Sequence, residues 1–189
     1  MRNNYGIVEY THHFIRQHVE KGDVCIDATA GNGHDTLFLC ELVGDKGKVI
    51  AMDIQEMAVN NTKELLKEYS FEKNTEVILD SHENIGKYAK EESISCIVFN
   101  LGYLPGGNHA LATQAKSTIL AMEASLKLLK KNGLLSVTIY SGGDSGFEEK
   151  DAVLKWMKNL DTKRYLVIVS EYYNRPNHPP IPVQIIRLR

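Results

Sequence analysis

Apolar stretches rich in β-branched residues recur along the chain at "DVCIDATA", "KVIAMDI", "TEVILD", "ISCIVFN", "LLSVTIY", "YLVIVSEYY" and "PVQIIRL", which makes seven candidate strands. Between the first five, the apolar positions change to helical spacing, over Thr36 to Val43, Glu56 to Tyr69, a short Asn84 to Ala89, and Gln114 to Leu129. A further helix is predicted over Phe147 to Leu160, and another over Tyr10 to Val19, ended by Gly22. Strands alternating with helices predict an α/β domain whose parallel sheet is covered on both faces, and strands apolar almost throughout fit burial on both sides. The last two strands break the alternation. Only "NRPNHPP" separates them, too short for a crossover helix, so they are expected to pair as an antiparallel hairpin at one edge.

In such sheets ligands bind beyond the carboxyl ends of the strands, near the point where strand order reverses. The residues just past each strand therefore carry the chemistry. After the first comes "DATAGNGHDT", where Gly31 and Gly33 permit a tight turn and a close ligand approach to the backbone. The dinucleotide fingerprint would need a third glycine where Thr36 stands. Asp27 would repel a pyrophosphate but suit an ammonium or sulfonium. Asp35 or Thr36 could instead cap the following helix. The second strand ends in Asp53, twenty-two residues beyond Gly31, close to the spacing of roughly 20 at which an acidic residue accepts from ribose hydroxyls. Capping the helix that starts near Glu56 is its other reading.

After the third strand, Ser81 and His82 offer short polar groups suited to an adenine edge, or a solvated loop histidine. The fourth strand runs into "NLGYLPGGNH". Asn100 there sets a side-chain carbonyl, an acceptor on a rigid element, beside the expected crevice. Gly102 lets the chain turn, Tyr103 supplies a stacking face with a polar tip, and Pro105 stiffens the exit before Gly106 and Gly107. The bland alternative is an asparagine-capped turn with a partly buried tyrosine.

The 189 residues, 43% hydrophobic and 24% charged, suit one domain over residues 1–189 with a continuous core. No apolar run approaches the roughly 20 residues of a membrane helix and the start has no signal-peptide core, so the expectation is a cytoplasmic protein without a membrane partner. Cys25, Cys40 and Cys96 sit far apart in apolar segments, which fits packing residues and neither a disulfide framework nor a metal site. The net charge of −2 argues against a protein that coats nucleic acid. From Lys150 onward, however, eight Lys/Arg face three Asp/Glu, against fourteen and twenty-one before it, either a polyanion-facing side or chance clustering.

"DATAGNGHDT", "AMDIQ", "NLGYLPGG" and the closing "NHPP", in this order and over nearly the whole chain, resemble the small bacterial methyltransferases long labelled rRNA methylases. Members of the MnmM type methylate the aminomethyl group of 5-aminomethyl-uridine, often 2-thiolated, at the tRNA wobble position. The resemblance implies a Rossmann-like class I methyltransferase fold, a seven-stranded mostly parallel sheet of order 3-2-1-4-5-7-6, with S-adenosylmethionine as cofactor and no metal. By that likeness Asp27, Gly31 and Gly33 line the methionine half, Asp53 holds the ribose and Ser81 and His82 meet the adenine. Thr29, Asn32, Asp35, Thr36, Ile54, Gln55 and Asn100 complete the expected cofactor contacts. "NLGYLP" looks like a variant of the Asn/Asp-Pro-Pro-aromatic loop of amino methyltransferases, with Leu101 and Gly102 in place of the prolines.

On this reading the side-chain carbonyl of Asn100 and the backbone carbonyl of Leu101 hold the amine, and Tyr103 flanks the base. Pro105, Gly106, Tyr140, Asn177, Pro179 and Pro180 are the remaining expected substrate contacts, toward a tRNA anticodon stem-loop. Where relatives have a histidine-bearing segment after the fifth strand, this chain reads "YSGGDSG", whose glycines predict a loop over the substrate. The choice of tRNA over rRNA rests on the resemblance alone, and the oligomeric state, a homodimer included, stays open. An NAD oxidoreductase is disfavoured by Thr36, and a binding or sensing module would keep the cofactor loop without needing Asn100 and Tyr103 together.

Overall fold

The structure, a computed structural model, describes residues 5–102, 114–140 and 144–189. Helix α1 (Ile7–Arg16) leads into β1 (Val24–Asp27), α2 (His34–Val43), β2 (Lys48–Asp53), α3 (Glu56–Glu68) and β3 (Thr75–Leu79). A 3-10 helix (His82–Lys87) then precedes β4 (Ile94–Leu101), α4 (Ala115–Leu128), β5 (Leu129–Ile139), α5 (Asp144–Lys158), β6 (Tyr165–Val169) and β7 (Ile181–Arg187). The strands form one sheet of order β3-β2-β1-β4-β5-β7-β6, the order expected. β7 runs antiparallel to both neighbours, so the edge hairpin is present and β6 points the same way as β5.

Period-two alternation along the strands feeds two apolar layers. Ile26, Ile50, Ile97, Phe99, Leu135 and Val137 face α4 and α5, where Met122, Leu126, Val153 and Met157 close the layer. Their neighbours Cys25, Val49, Cys96, Val98 and Leu134 face the other way, onto Ile15, Phe38, Leu39, Val43 and Leu66. The three cysteines are buried free thiols, in keeping with their apolar settings. Burial, the main cause in each case, pushes Cys25 up to about 12 and Cys40 up to about 11, so they pack and do not react.

Several expected boundaries move, among them the start of α5, three residues before Phe147, and that of the 3-10 helix, two residues before Asn84; two further shifts involve other elements. The first helix runs from Ile7 to Arg16, starting three residues earlier than its apolar pattern predicts, and ends at Gln17 in right-handed conformation. Gly22, expected as its cap, has φ +93° and sends its N–H to the Val43 carbonyl, so it turns the chain under α2 instead. The fifth strand begins at Leu129, because "LKKNG" joins the sheet through an irregularity opposite Ile94 to Cys96. None of the helices, among the described residues, is long and apolar enough to cross a membrane.

The chain returns from β3 at one edge to β4 beside β1, so the strand order reverses between β1 and β4. Cα register pairs Asp27 with Val98, and just past this pair stand Thr29 and Asn100. That is where the candidate residues converge.

Candidate active site

Asn100 is held from two sides. Its backbone N–H donates to Thr29 Oγ1 at 2.7 Å, bolting the end of β4 to the loop after β1. Its side-chain NH2 donates to Asp35 Oδ2 at 2.7 Å. With the nitrogen committed, the carbonyl oxygen is what Asn100 can offer a donor. Leu101, the next residue, is fully buried, and its carbonyl receives the Tyr140 N–H at 2.9 Å, which uses one of that oxygen's two lone pairs. Gly102 turns the chain with φ +145°, and a Cβ there would stand 3.1 Å from that of Tyr140.

Asp35 and Thr36 lie in the first turn of α2, but neither caps it: the N-cap is Gly33, with φ +83° and no side-chain bond. Asp35 instead bridges Asn100 and His12, whose Nε2 lies 2.6 Å from Oδ1. Burial works to raise this carboxyl, but the bonds from His12 and Asn100, with the charges of His12 and His34, outweigh it and hold Asp35 below the usual carboxylate range. Thr36 donates to Asp27 Oδ2 at 2.6 Å. Asp27 is wholly buried; that burial and the adjacent Asp35 charge push it up to about 7, against the bonds from Thr36 and the Thr29 N–H. A buried carboxylate poised between charged and neutral suits a cationic ligand.

Gly31, with φ +55°, points its N–H at Asp53 Oδ2, 3.0 Å away. The other oxygen of Asp53 accepts from the Gln55 N–H at 2.9 Å, and Gln55, not Asp53, occupies the N-cap of α3. Gly33 makes room for packing as well as a turn, since a Cβ there would come 3.0 Å from the Thr62 Cα of α3. Asn32 Oδ1 accepts from Asn61, tying the glycine turn to α3. Ile54, 56% exposed, presents a bare apolar face beside Asp53.

Ser81 caps the 3-10 helix by accepting from the Glu83 N–H. The His82 ring stands edge-on to Phe99, and its buried Nε2 has no partner. Desolvation lowers its pKa, which favours a neutral ring with one buried polar atom unmatched. Tyr140, at the end of β5, is raised by burial and by the Asp35 charge.

Asn177, Pro179 and Pro180 lie in the connection from β6 to β7, which the strand directions place at the same end of the sheet as Asn100. Asn177 and His178 there adopt left-handed backbone, and His178 meets Phe147 of α5 edge to face at 5.5 Å. α1 and Tyr5, two residues ahead of it, clasp this connection, through Tyr10 Oη to Ser170 Oγ at 2.7 Å and Tyr172 Oη to the Tyr5 carbonyl at 2.8 Å. Tyr103, Pro105 and Gly106, with Ser141, Gly142 and Gly143 of the "YSGGDSG" segment, fall outside the described residues, while its last three residues open α5.

Sequence reasoning misses two polar groups of this site. His12 sits in a helix whose pattern shows only an apolar stripe, and nothing local links it to Asp35. Asp80 carries a legible signal, a carboxylate closing a strand as Asp27 and Asp53 do. It accepts from the Ser81 N–H, Asn84 and Tyr88, and so fixes the loop that carries His82.

A family model described as "Putative rRNA methylase" matches residues 49–186. The chain is 36% identical over 180 residues to the Arabidopsis thaliana chloroplastic tRNA (mnm(5)s(2)U34)-methyltransferase, covering 90% of this chain and 66% of that longer protein. A Clostridium thermocellum structure described as an rRNA-methylase superposes with a TM-score of 0.94 at 40% identity, over 97% of this chain and 98% of that one. A Streptococcus mutans methyltransferase structure in complex with SAH gives 0.87 at 40% identity, over 96% and 97%.

Proposed function

The chain belongs to the rRNA methylase family, and from that premise we propose that it is an S-adenosylmethionine-dependent N-methyltransferase. Its substrate is the 5-aminomethyl group of wobble uridine in tRNA, 2-thiolated or not, and its product the 5-methylaminomethyl group. The name of the plant relative supports the substrate, and the SAH-bound S. mutans structure supports the cofactor. The reading takes residues 1–189 as one methyltransferase domain acting in the cytoplasm on the anticodon stem-loop. The observation that carries it is the double anchoring of Asn100, which turns a strand-end amide into a fixed acceptor.

The residues present fit the cofactor. Asp53 and the Gly31 turn suit a ribose, the unmatched Nε2 of His82 and the bare face of Ile54 suit an adenine edge and plane, and Asp27 suits the cationic half. S-adenosylmethionine, when bound, supplies an electrophilic methyl group on a sulfonium. The protein has to present a neutral amine with its lone pair toward that carbon, and positioning is most of the work. The Asn100 carbonyl accepts one N–H of the primary amine, and the remaining lone pair of the Leu101 carbonyl accepts the other. With both hydrogens held, the nitrogen lone pair has one free direction. As nitrogen bonds to the methyl carbon, the carbon–sulfur bond breaks and one amine proton passes to solvent. Tyr103 flanks the base in this reading.

The test incubates the protein and S-adenosylmethionine with total tRNA and with rRNA from a strain lacking the gene, then identifies the methylated nucleoside by mass spectrometry. Methyl incorporation into the aminomethyl group of tRNA uridine is expected. Incorporation into rRNA alone, or at a ring carbon or ribose oxygen, overturns the substrate.

A further inference from the structure

His12 belongs to a helix that precedes the first strand, yet its Nε2 lies 2.6 Å from Asp35 Oδ1, while the other Asp35 oxygen receives the Asn100 amide. Packing sets its place. The ring lies flat on Phe38, with centroids 3.6 Å apart and planes within 1°, and Arg16 holds the same Phe38 ring by a cation–π contact at 4.8 Å.

An ionised carboxylate only accepts, so Asn100 must show it the NH2 and turn the carbonyl elsewhere. A protonated carboxyl carries an O–H donor. It would stabilise the opposite asparagine rotamer, in which the NH2 points away from Asp35, donor facing donor toward a substrate amine. The state of Asp35 therefore decides which end of Asn100 meets the substrate. We propose that His12 is a positioning residue for the transfer: by donating to Asp35 it keeps Asn100 turned with its carbonyl available to the amine. This rests on the methyltransfer reading of the site.

The charges around Asp35 come from several elements: Asp27 on β1, His34 on α2 itself, and beyond them the Tyr140 phenol and the Cys96 thiol. Asp27 repels it and burial disfavours its charge; the His12 bond is the largest opposing influence. Without that bond Asp35 should gain a proton at higher pH than in the intact protein, and the orientation of Asn100 should be lost with it.

The test compares His12→Leu, which keeps apolar bulk over Phe38, with His12→Gln, which keeps an N–H to offer, and with Asp35→Asn. Single-turnover methylation of an aminomethyl-uridine stem-loop is followed from about pH 6 to about pH 9, beside SAH affinity and melting temperature. His12→Leu should lose roughly 10- to 100-fold in turnover, with SAH affinity within about threefold and the acid limb displaced to higher pH. His12→Gln should recover to within about threefold of the parent, without the displaced limb. Asp35→Asn should be as slow as His12→Leu, and adding His12→Leu to it should cost nothing more.

A readout on the free protein needs no turnover: the proton on His12 Nε2 should give a protected downfield NMR resonance that vanishes in Asp35→Asn. Parent-like rates and pH profile in His12→Leu, or His12→Gln as slow as His12→Leu, would overturn the proposal. Should His12→Leu not fold, a parent-like Asp35→Asn overturns it equally. A parent protein that methylates no RNA overturns the functional reading instead, and the NMR resonance still decides whether the bond exists.

Discussion

The Gly31 amide and the Asp53 carboxylate meet at 3.0 Å across 22 residues of sequence, joining the turn after β1 to the end of β2. Asp53 thus shapes the glycine turn in the free protein, and on the proposed reading it also offers its oxygens to a ribose. Asp53→Ala removes both services. Loss of charge-assisted hydrogen bonds worth about 1.5–3 kcal/mol each should weaken SAH binding by at least about tenfold in isothermal titration. Unchanged affinity would remove Asp53 from the site.

In the proposed mechanism Asn100 acts on the other reactant. Asn100→Ala should leave SAH affinity within a few-fold while single-turnover methylation falls by roughly 100-fold, because the lost acceptor orients the nucleophile. A variant with near-normal turnover would reduce the motif to a turn.

Asp27 gives a stability prediction with a definite sign. Its folded pKa, pushed up to about 7, lies above the ordinary carboxyl value of 3.8, so between these pH values the folded state binds more protons and stability falls as pH rises. Below about pH 4 the group contributes no such cost, and above about pH 7 the cost of a buried charge is complete. Asp27→Asn should therefore melt near the parent at about pH 4 and several degrees above it at about pH 8, by roughly 4 °C or more. Calorimetry across that range checks it, and a gap that shrinks with rising pH would contradict the assignment. The same variant should bind S-adenosylmethionine more weakly, since a neutral amide cannot match its cationic half.

Much of this is legible in the sequence because the relevant signals are local. Strand-end carboxylates and glycines announce themselves by type and spacing, and period-two apolar runs with one short connector are enough for the edge hairpin. The strand order 3-2-1-4-5-7-6 comes from the likeness to a family, not from periodicity. His12 is not legible, because its partner lies 23 residues away on another element and α1 shows only an amphipathic stripe. The shift of α1 to Ile7–Arg16 has a similar origin: Tyr5 and Tyr10 are fixed by Tyr172 and Ser170, far along the chain. By local rules Asp35 is a cap or a cofactor contact, because acidic residues at a helix start usually serve the helix. Tertiary partners on β4 and α1 claim it instead.

The rim of the site carries the last prediction. Tyr173, 93% exposed, lies within the connection between β6 and β7, two residues before Arg175, and Tyr5, 81% exposed, is tied to that connection by Tyr172, at the same sheet end as Asn100. Aromatic faces this bare cost solubility and contribute nothing to the core, so a ligand with flat apolar surface is what they fit. Unpaired bases of an anticodon loop have such faces, and base–aromatic stacking is worth about 1–3 kcal/mol per base. Tyr173→Ala should therefore leave the melting temperature unchanged and raise the apparent KM for the stem-loop by roughly 5- to 100-fold, with SAH affinity untouched. Affinity for the stem-loop should also fall with added salt, because counterion release from phosphate contacts with the basic final forty residues then drives binding less. If the same tyrosines instead sit between two copies of the chain, Tyr173→Ala would alter the sedimentation of the protein alone and leave the KM for RNA where it was. Measuring sedimentation and KM on one preparation separates the two, and an unmoved KM would take the aromatic rim out of substrate recognition.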